Sequence, residues 1–137
     1  MNTNRITYVD SGVLIAAFRG NDKDSLAAFR ILGDLEREFA SSIFVKMEVS
    51  PKAVYHKNER EVEFYEAFFA SVNHWCVFTD ELLQTALDEA TRCGRGALDA
   101  LHVVAAAHCG ASELATAEKR DKPIHRTSLC QILSIRE

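Results

Sequence analysis

"ITYVDSGVLIAAF" (residues 6–18) joins a β-branched and aromatic run, ITYV, to the acid Asp10 and then to the apolar, helix-forming GVLIAAF. A short strand that ends on a carboxylate and turns directly into a helix is the opening of a parallel strand-helix unit. The same order recurs down the chain. FASS (39–42) reads as a second strand, with Ser41 or Ser42 capping a helix through IFVKMEV that Pro51 bends or ends. HWCVF (74–78), ELATA (113–117) and ILSI (132–135) read as three further strands.

Helical patterns fill the intervals. Over residues 24–40, Ala28, Leu32, Leu35 and Phe39 form a stripe that Gly33 and Asp34 interrupt. Residues 58–72 form an amphipathic helix with Asn58 and Glu61 in capping-box positions and Val62, Tyr65, Phe68, Phe69 and Val72 on one face. Residues 80–94 place Leu83, Ala86, Leu87 and Ala90 inward and stop at Gly94. GRGALDALHVVAAAHCG (94–110) then reads as a helix apolar on nearly every side, and EKRDKPIHRT (118–127) as a polar loop. Strands alternating with helices predict a three-layer α/β/α domain around a parallel sheet of four to five short strands, with residues 1–137 as a single domain.

With 137 residues, the chain can bury about two thirds of its unfolded surface in one core. A net charge of −4 argues against bulk, charge-driven binding to nucleic acid or an anionic membrane, while leaving room for a local basic patch. Cys76, Cys93, Cys109 and Cys130 lack zinc-site spacing and read as reduced thiols. Asp10 interrupts what would otherwise resemble a signal peptide, and no stretch is long enough to span a bilayer, so the expectation is a cytoplasmic protein with no membrane contact.

In open parallel sheets, ligands bind beyond the carboxyl ends of the strands. Asp10 follows strand one, Glu118 follows strand four, and Glu48 lies early in the helix after strand two. Asp99, in the first turn of an apolar helix, needs a partner if that turn is dry, because an unpaired buried carboxylate costs several kcal/mol. Each has a simpler role available: a cap for Asp10, a lysine-paired surface glutamate for Glu48, solvated loop for Glu118, and a helix-dipole partner for Asp99. Gathered in one cleft, however, carboxylates raise one another's pKa unless a cation neutralises them, and all-oxygen ligands select hard ions such as Mg²⁺ or Mn²⁺. Such an ion can activate water against a phosphodiester.

"ITYVDSGVLIAAF", the glutamate of "MEV", "ALDALHVVAAA" and "LATAEK" resemble, in order and spacing, the four acidic motifs of the PIN domain family of nucleases. The resemblance covers nearly the whole chain, in the manner of stand-alone, VapC-like prokaryotic PIN proteins. It implies a Mg²⁺- or Mn²⁺-dependent endoribonuclease in which Asp10, Glu48 and Asp99 match the principal acids and Ser11 the small hydroxyl residue after the first. Thr116 matches the family's strand-four threonine. Glu118 stands where an Asp or Asn is usual. The resemblance also implies an RNA substrate, an antitoxin partner, and a homodimer to which Phe64, Tyr65 and Phe69 could contribute if they are not core.

Lys119, Arg120, Lys122, His125 and Arg126 follow the fourth motif, and Lys119 and Arg126 are candidates for RNA phosphates. His102, three residues after Asp99, reads as a buried, hydrogen-bonded histidine. A dehalogenase-type phosphotransferase would need D-x-D where the chain has Asp10, Ser11 and Gly12, and a receiver domain would need an adjacent acid pair. The remaining rival is a non-catalytic PIN-like interaction module.

Overall fold

The computed structural model describes residues 5–136. Five strands, β1 (Arg5–Val9), β2 (Arg37–Ser42), β3 (His74–Cys76), β4 (Glu113–Thr116) and β5 (Gln131–Ser134), form one sheet in the order β3-β2-β1-β4-β5. Every neighbouring pair is parallel. Residues 1–4, which precede β1, and Glu137 lie outside the description.

Strand order follows from the crossovers. From β1 the chain steps outward to β2 and β3, then returns to the other side of β1 to lay down β4 and β5. Since parallel crossovers are right-handed, this reversal sends the helices before and after it to opposite faces. Accordingly α1 (Ser11–Arg19), α2 (Lys23–Leu32), α3 (Ile43–Tyr55) and α4 (Glu59–Ser71) pack among themselves, and α5 (Asp80–Cys93) packs on α6 (Ala97–His108). The reversal also leaves a crevice at the carboxyl ends of β1 and β4, the place where ligands bind in doubly wound sheets.

The core is centred on Tyr8, Val9, Leu14, Val103 and Leu114, all fully buried from solvent. At the opposite, amino end of the sheet, Glu113 accepts from both Thr7 Oγ1 (2.8 Å) and Arg37 Nη1 (2.5 Å), tying β1, β2 and β4 together.

Local chemistry sets the helix ends. Ser42 accepts from Phe44 N–H, Asn58 caps α4 by accepting from Glu61 N–H while its side-chain amide donates to the Glu61 carboxylate, and Gly94 ends α5 in the left-handed region (φ 63°). Four details differ from the sequence reading, the first being that the 24–40 stripe stops with α2 at Leu32, leaving Leu35 exposed and Phe39 in β2. Pro51 neither ends nor halts α3, which continues to Tyr55 with Val49 and Ala53 buried on either side of it. On α5, Leu83 and Leu87 face solvent (43% and 59% exposed) while Ala86, Glu89 and Cys93 are buried. The polar loop after β4 contains a 3₁₀ turn, Pro123–Arg126, whose Ile124 is fully buried.

The α5 inversion has a physical cause. Glu89 is buried because it accepts from Arg92 Nη2 (2.5 Å) and Thr127 Oγ1 (2.8 Å) and faces Arg95 Nη2 at 3.2 Å. Arg95 is itself withdrawn from solvent, so the pair neutralises two charges that neither could bury alone.

Candidate active site

Asp10 leaves β1 and caps α1, its Oδ1 accepting from Val13 N–H at 3.3 Å. It is 7% exposed. Burial pushes its carboxyl up to about 6, against the opposing pull of the Thr116 hydroxyl, His102 and the Val13 amide. Glu48 also pushes it upward, which places that second carboxylate in the same neighbourhood.

Gly12 makes this convergence possible. A Cβ there would meet Ala117 Cβ at 2.8 Å, so only glycine lets the first turn of α1 approach the backbone that leaves β4. Thr116, fully buried at the end of β4, accepts from Glu118 N–H at 3.1 Å and also lies against Asp10. One threonine therefore joins the first and fourth acidic motifs.

Glu48, in the second turn of α3, is half-buried and bonded to His102 on α6 (Oε1 to Nε2, 2.5 Å). Burial raises its carboxyl, but the His102 bond and charge and the Ser11 hydroxyl outweigh it and hold Glu48 below the ordinary value. His102 Nδ1 lies 2.9 Å from the Tyr8 hydroxyl, which lies 2.8 Å from Ser42 Oγ. Burial drives Tyr8 well above its ordinary pKa, so its proton stays in place. The contacts run unbroken from Ser42 through Tyr8 and His102 to Glu48, and the protonation state of His102 sets which partner donates at each step. This buried relay runs from β2 through β1 and α6 to α3.

Asp99 occupies the first turn of α6, whose N-cap Gly96 offers no side-chain bond. The turn is less dry than the sequence implies. Leu98 is exposed and Asp99 only half-buried, with no protein hydrogen bond among the described residues. Burial, then the negative charge of Glu118, raise its pKa, while His102 and Arg95 oppose the rise. Glu118 is exposed at the lip of the crevice.

Asp10, Glu48, Asp99 and Glu118 thus interact electrostatically across one edge of the sheet. Among the described residues, no three His, Cys, Asp or Glu side chains already stand at metal-chelating spacing. The donor set nevertheless suits a hard divalent cation: it is all oxygen, and the pKa values of Asp10 and Asp99 are raised by burial and by each other's neighbours, a strain that a cation relieves.

The basic candidates separate. Arg126 Nη1 donates to Cys93 O (3.2 Å), securing the 3₁₀ turn to the end of α5, and His125 bonds Glu118 O. Lys119 instead lines a groove with residues of α2. Another cleft, of about 410 Å³, lies between α1, α3 and α4, walled by Phe18, Val49 and Tyr65, and reaches Glu48. Tyr65 and Phe69 are core residues, and Phe64 stacks against Phe18 and Phe29. The roles of Tyr8 and of the Glu89–Arg95 pair carry no motif in the sequence. The spacing of His102 after Asp99 was the one available signal, and its partner proves to be Glu48.

The PIN domain family model matches residues 7–127. The chain belongs to the PIN domain family. No curated protein matches it significantly by sequence. Among solved structures, it resembles a chain of VapBC2 from Rickettsia felis bound to a promoter DNA fragment (TM-score 0.71, 15% identity, covering 94% of this chain and 98% of that one). Similar PIN folds occur in VapBC-1 of nontypeable Haemophilus influenzae (0.70, 17%, 96% and 99%) and in DNA-bound VapBC of Salmonella typhimurium (0.70, 16%, 97% and 99%). No described helix is long and apolar enough to cross a membrane, and the four cysteines are free.

Proposed function

We propose that this PIN domain is a Mg²⁺- or Mn²⁺-dependent endoribonuclease and the toxin of a toxin-antitoxin pair. What supports the reading is that, along the edge where strand order reverses, Glu48 raises the Asp10 carboxyl and Glu118 and Glu48 raise that of Asp99, with Asp10 buried and pushed up to about 6. These four would hold the cation, which when bound neutralises their charge and that developing on a phosphodiester under attack by water.

The chain's own residues do the remaining work. Thr116 and the Val13 amide stabilise Asp10 in its ionised form. The relay through Tyr8 and His102 fixes Glu48, with Ser11 on its other side. Asp99, half-buried and without a protein hydrogen bond among the described residues, has a carboxylate free to orient a water. The cleft of α1, α3 and α4 ends at Glu48, so an antitoxin segment lying in it would cover the acid. Resemblance to VapBC complexes supports that partner. A homodimer and a cytoplasmic location belong to the same proposal.

The test is cleavage of a mixed RNA pool by wild type and Asp99→Asn, both verified as folded, with EDTA, Mg²⁺ or Mn²⁺. Metal-dependent cleavage by wild type alone is expected. The exposed position and extra methylene of Glu118 favour the rival, a non-catalytic interaction module, and no cleavage by folded wild type with either metal would point to that module or to a nuclease with a very narrow RNA target.

A further inference from the structure

A second feature opens on the same edge of the sheet. Lys119 lies just beyond β4, and Arg136 just beyond β5. Together with Lys23 and Arg30 of α2 they line a groove of about 550 Å³, whose one carboxylate is Asp24. Asp24 reaches Arg136 only at 3.8 Å, and Lys23, Arg30 and Lys119 have no carboxylate within ion-pairing distance among the described residues. Four cations facing one acid is a marked local reversal in a chain of net charge −4.

The groove also has direction. Lys119 is next in sequence to Glu118, so one end adjoins the acidic rim. Lys23 and Arg30 are seven residues apart on α2, two turns along one face, which separates them by about 10 Å. That span accommodates a run of phosphates better than a single anion. Its lining contains Leu26, Ala27 and Ile135 but no aromatic side chain, so it offers charge to a backbone and no platform for stacked bases. The acidic rim, for its part, repels phosphate, and a polyanion can approach it only with compensating positive charge alongside.

We infer that this groove carries the phosphate backbone of the single-stranded RNA flanking the bond that the acidic rim cleaves. The inference rests on the ribonuclease reading and adds the path of the substrate. Because the contacts are to phosphate, the groove contributes affinity without base preference.

The test uses fluorescence anisotropy of a labelled 12-nucleotide oligouridine bound to the full chain carrying Asp99→Asn, which prevents cleavage, between 50 and 200 mM salt. Each phosphate contact to a single strand contributes about −0.7 to the slope of log affinity against log salt. Lys23→Ala with Arg30→Ala should therefore flatten the slope by about 1.4 and weaken binding about tenfold near 150 mM salt. Arg5→Ala with Arg60→Ala removes equal charge at exposed positions away from the groove and should leave the slope unchanged. Thermal melting confirms that each surface variant is folded.

An unchanged slope in the groove variant, or equal loss in both, would overturn the path while metal-dependent cleavage by wild type left the ribonuclease reading standing. Groove-dependent binding of duplex DNA with no change for RNA would overturn it in favour of a duplex contact. A parent that does not bind RNA, together with a wild type that does not cleave it with either metal, would remove both.

Discussion

Asp10→Asn should make the metal-free protein more stable at neutral pH while abolishing cleavage. In the fold, the Asp10 carboxyl is pushed from 3.8 up to about 6 by burial. A carboxyl that binds its proton more tightly folded than unfolded lowers stability as pH rises from about 4 through 6, and the loss is complete above that window. At about 1.4 kcal/mol per tenfold change in proton affinity, the penalty at pH 7.5 reaches about 3 kcal/mol. Asparagine carries no charge and escapes it, less whatever the Val13 and Thr116 contacts lose, leaving a gain of about 1–3 kcal/mol. Urea unfolding followed by circular dichroism, in EDTA, measures this at pH 7.5 and again at pH 4.5, where the wild-type carboxyl is largely protonated and the advantage should shrink. Saturating Mn²⁺ should reverse the ranking, since at one thousand times its dissociation constant a ligand adds about 4.1 kcal/mol to the protein that binds it. A variant no more stable than wild type at pH 7.5, or an advantage equally large at pH 4.5, would refute the reasoning.

Gly12→Ala places a Cβ 2.8 Å from Ala117 Cβ. It should cost about 1–3 kcal/mol in denaturant unfolding and reduce cleavage by separating Asp10 from the end of β4. His102→Gln breaks the relay behind Glu48 and should weaken Mn²⁺ binding about tenfold or more by titration calorimetry, with the fold retained. Glu89→Ala leaves Arg95 buried without its anion and should cost about 3–5 kcal/mol by the same unfolding assay.

Much of this architecture was legible because parallel strands, buried on both faces, write themselves as short β-branched and aromatic runs. ITYV marked β1, and the acids at strand ends marked the rim. The α5 face was not legible. Hydrophobic periodicity assigned Leu83 and Leu87 inward, yet a glutamate took an interior position because Arg95, Arg92 and Thr127 neutralise and bond it, which is information held in three dimensions. Pro51 fails to end α3 for a related reason: burial of Val49 and Ala53 holds the helix together through a residue that removes one backbone donor. At the candidate site, Asp10, Glu48, Asp99 and Glu118 are proposed from position along the chain, and the fold brings them to one edge of the sheet. Tyr8 looked like an ordinary strand aromatic, because nothing local announces that its hydroxyl meets a histidine 94 residues away. The dryness expected around Asp99 was overstated, since α6 has an exposed first turn at Leu98.

The most direct measurement is a Mn²⁺ titration of wild type and Asp99→Asn followed by electron paramagnetic resonance of the free ion. The account predicts saturable binding by wild type and its loss in a variant that remains folded. Equal binding by both proteins, or none by folded wild type, would contradict the assignment of this acidic rim as the metal-dependent centre.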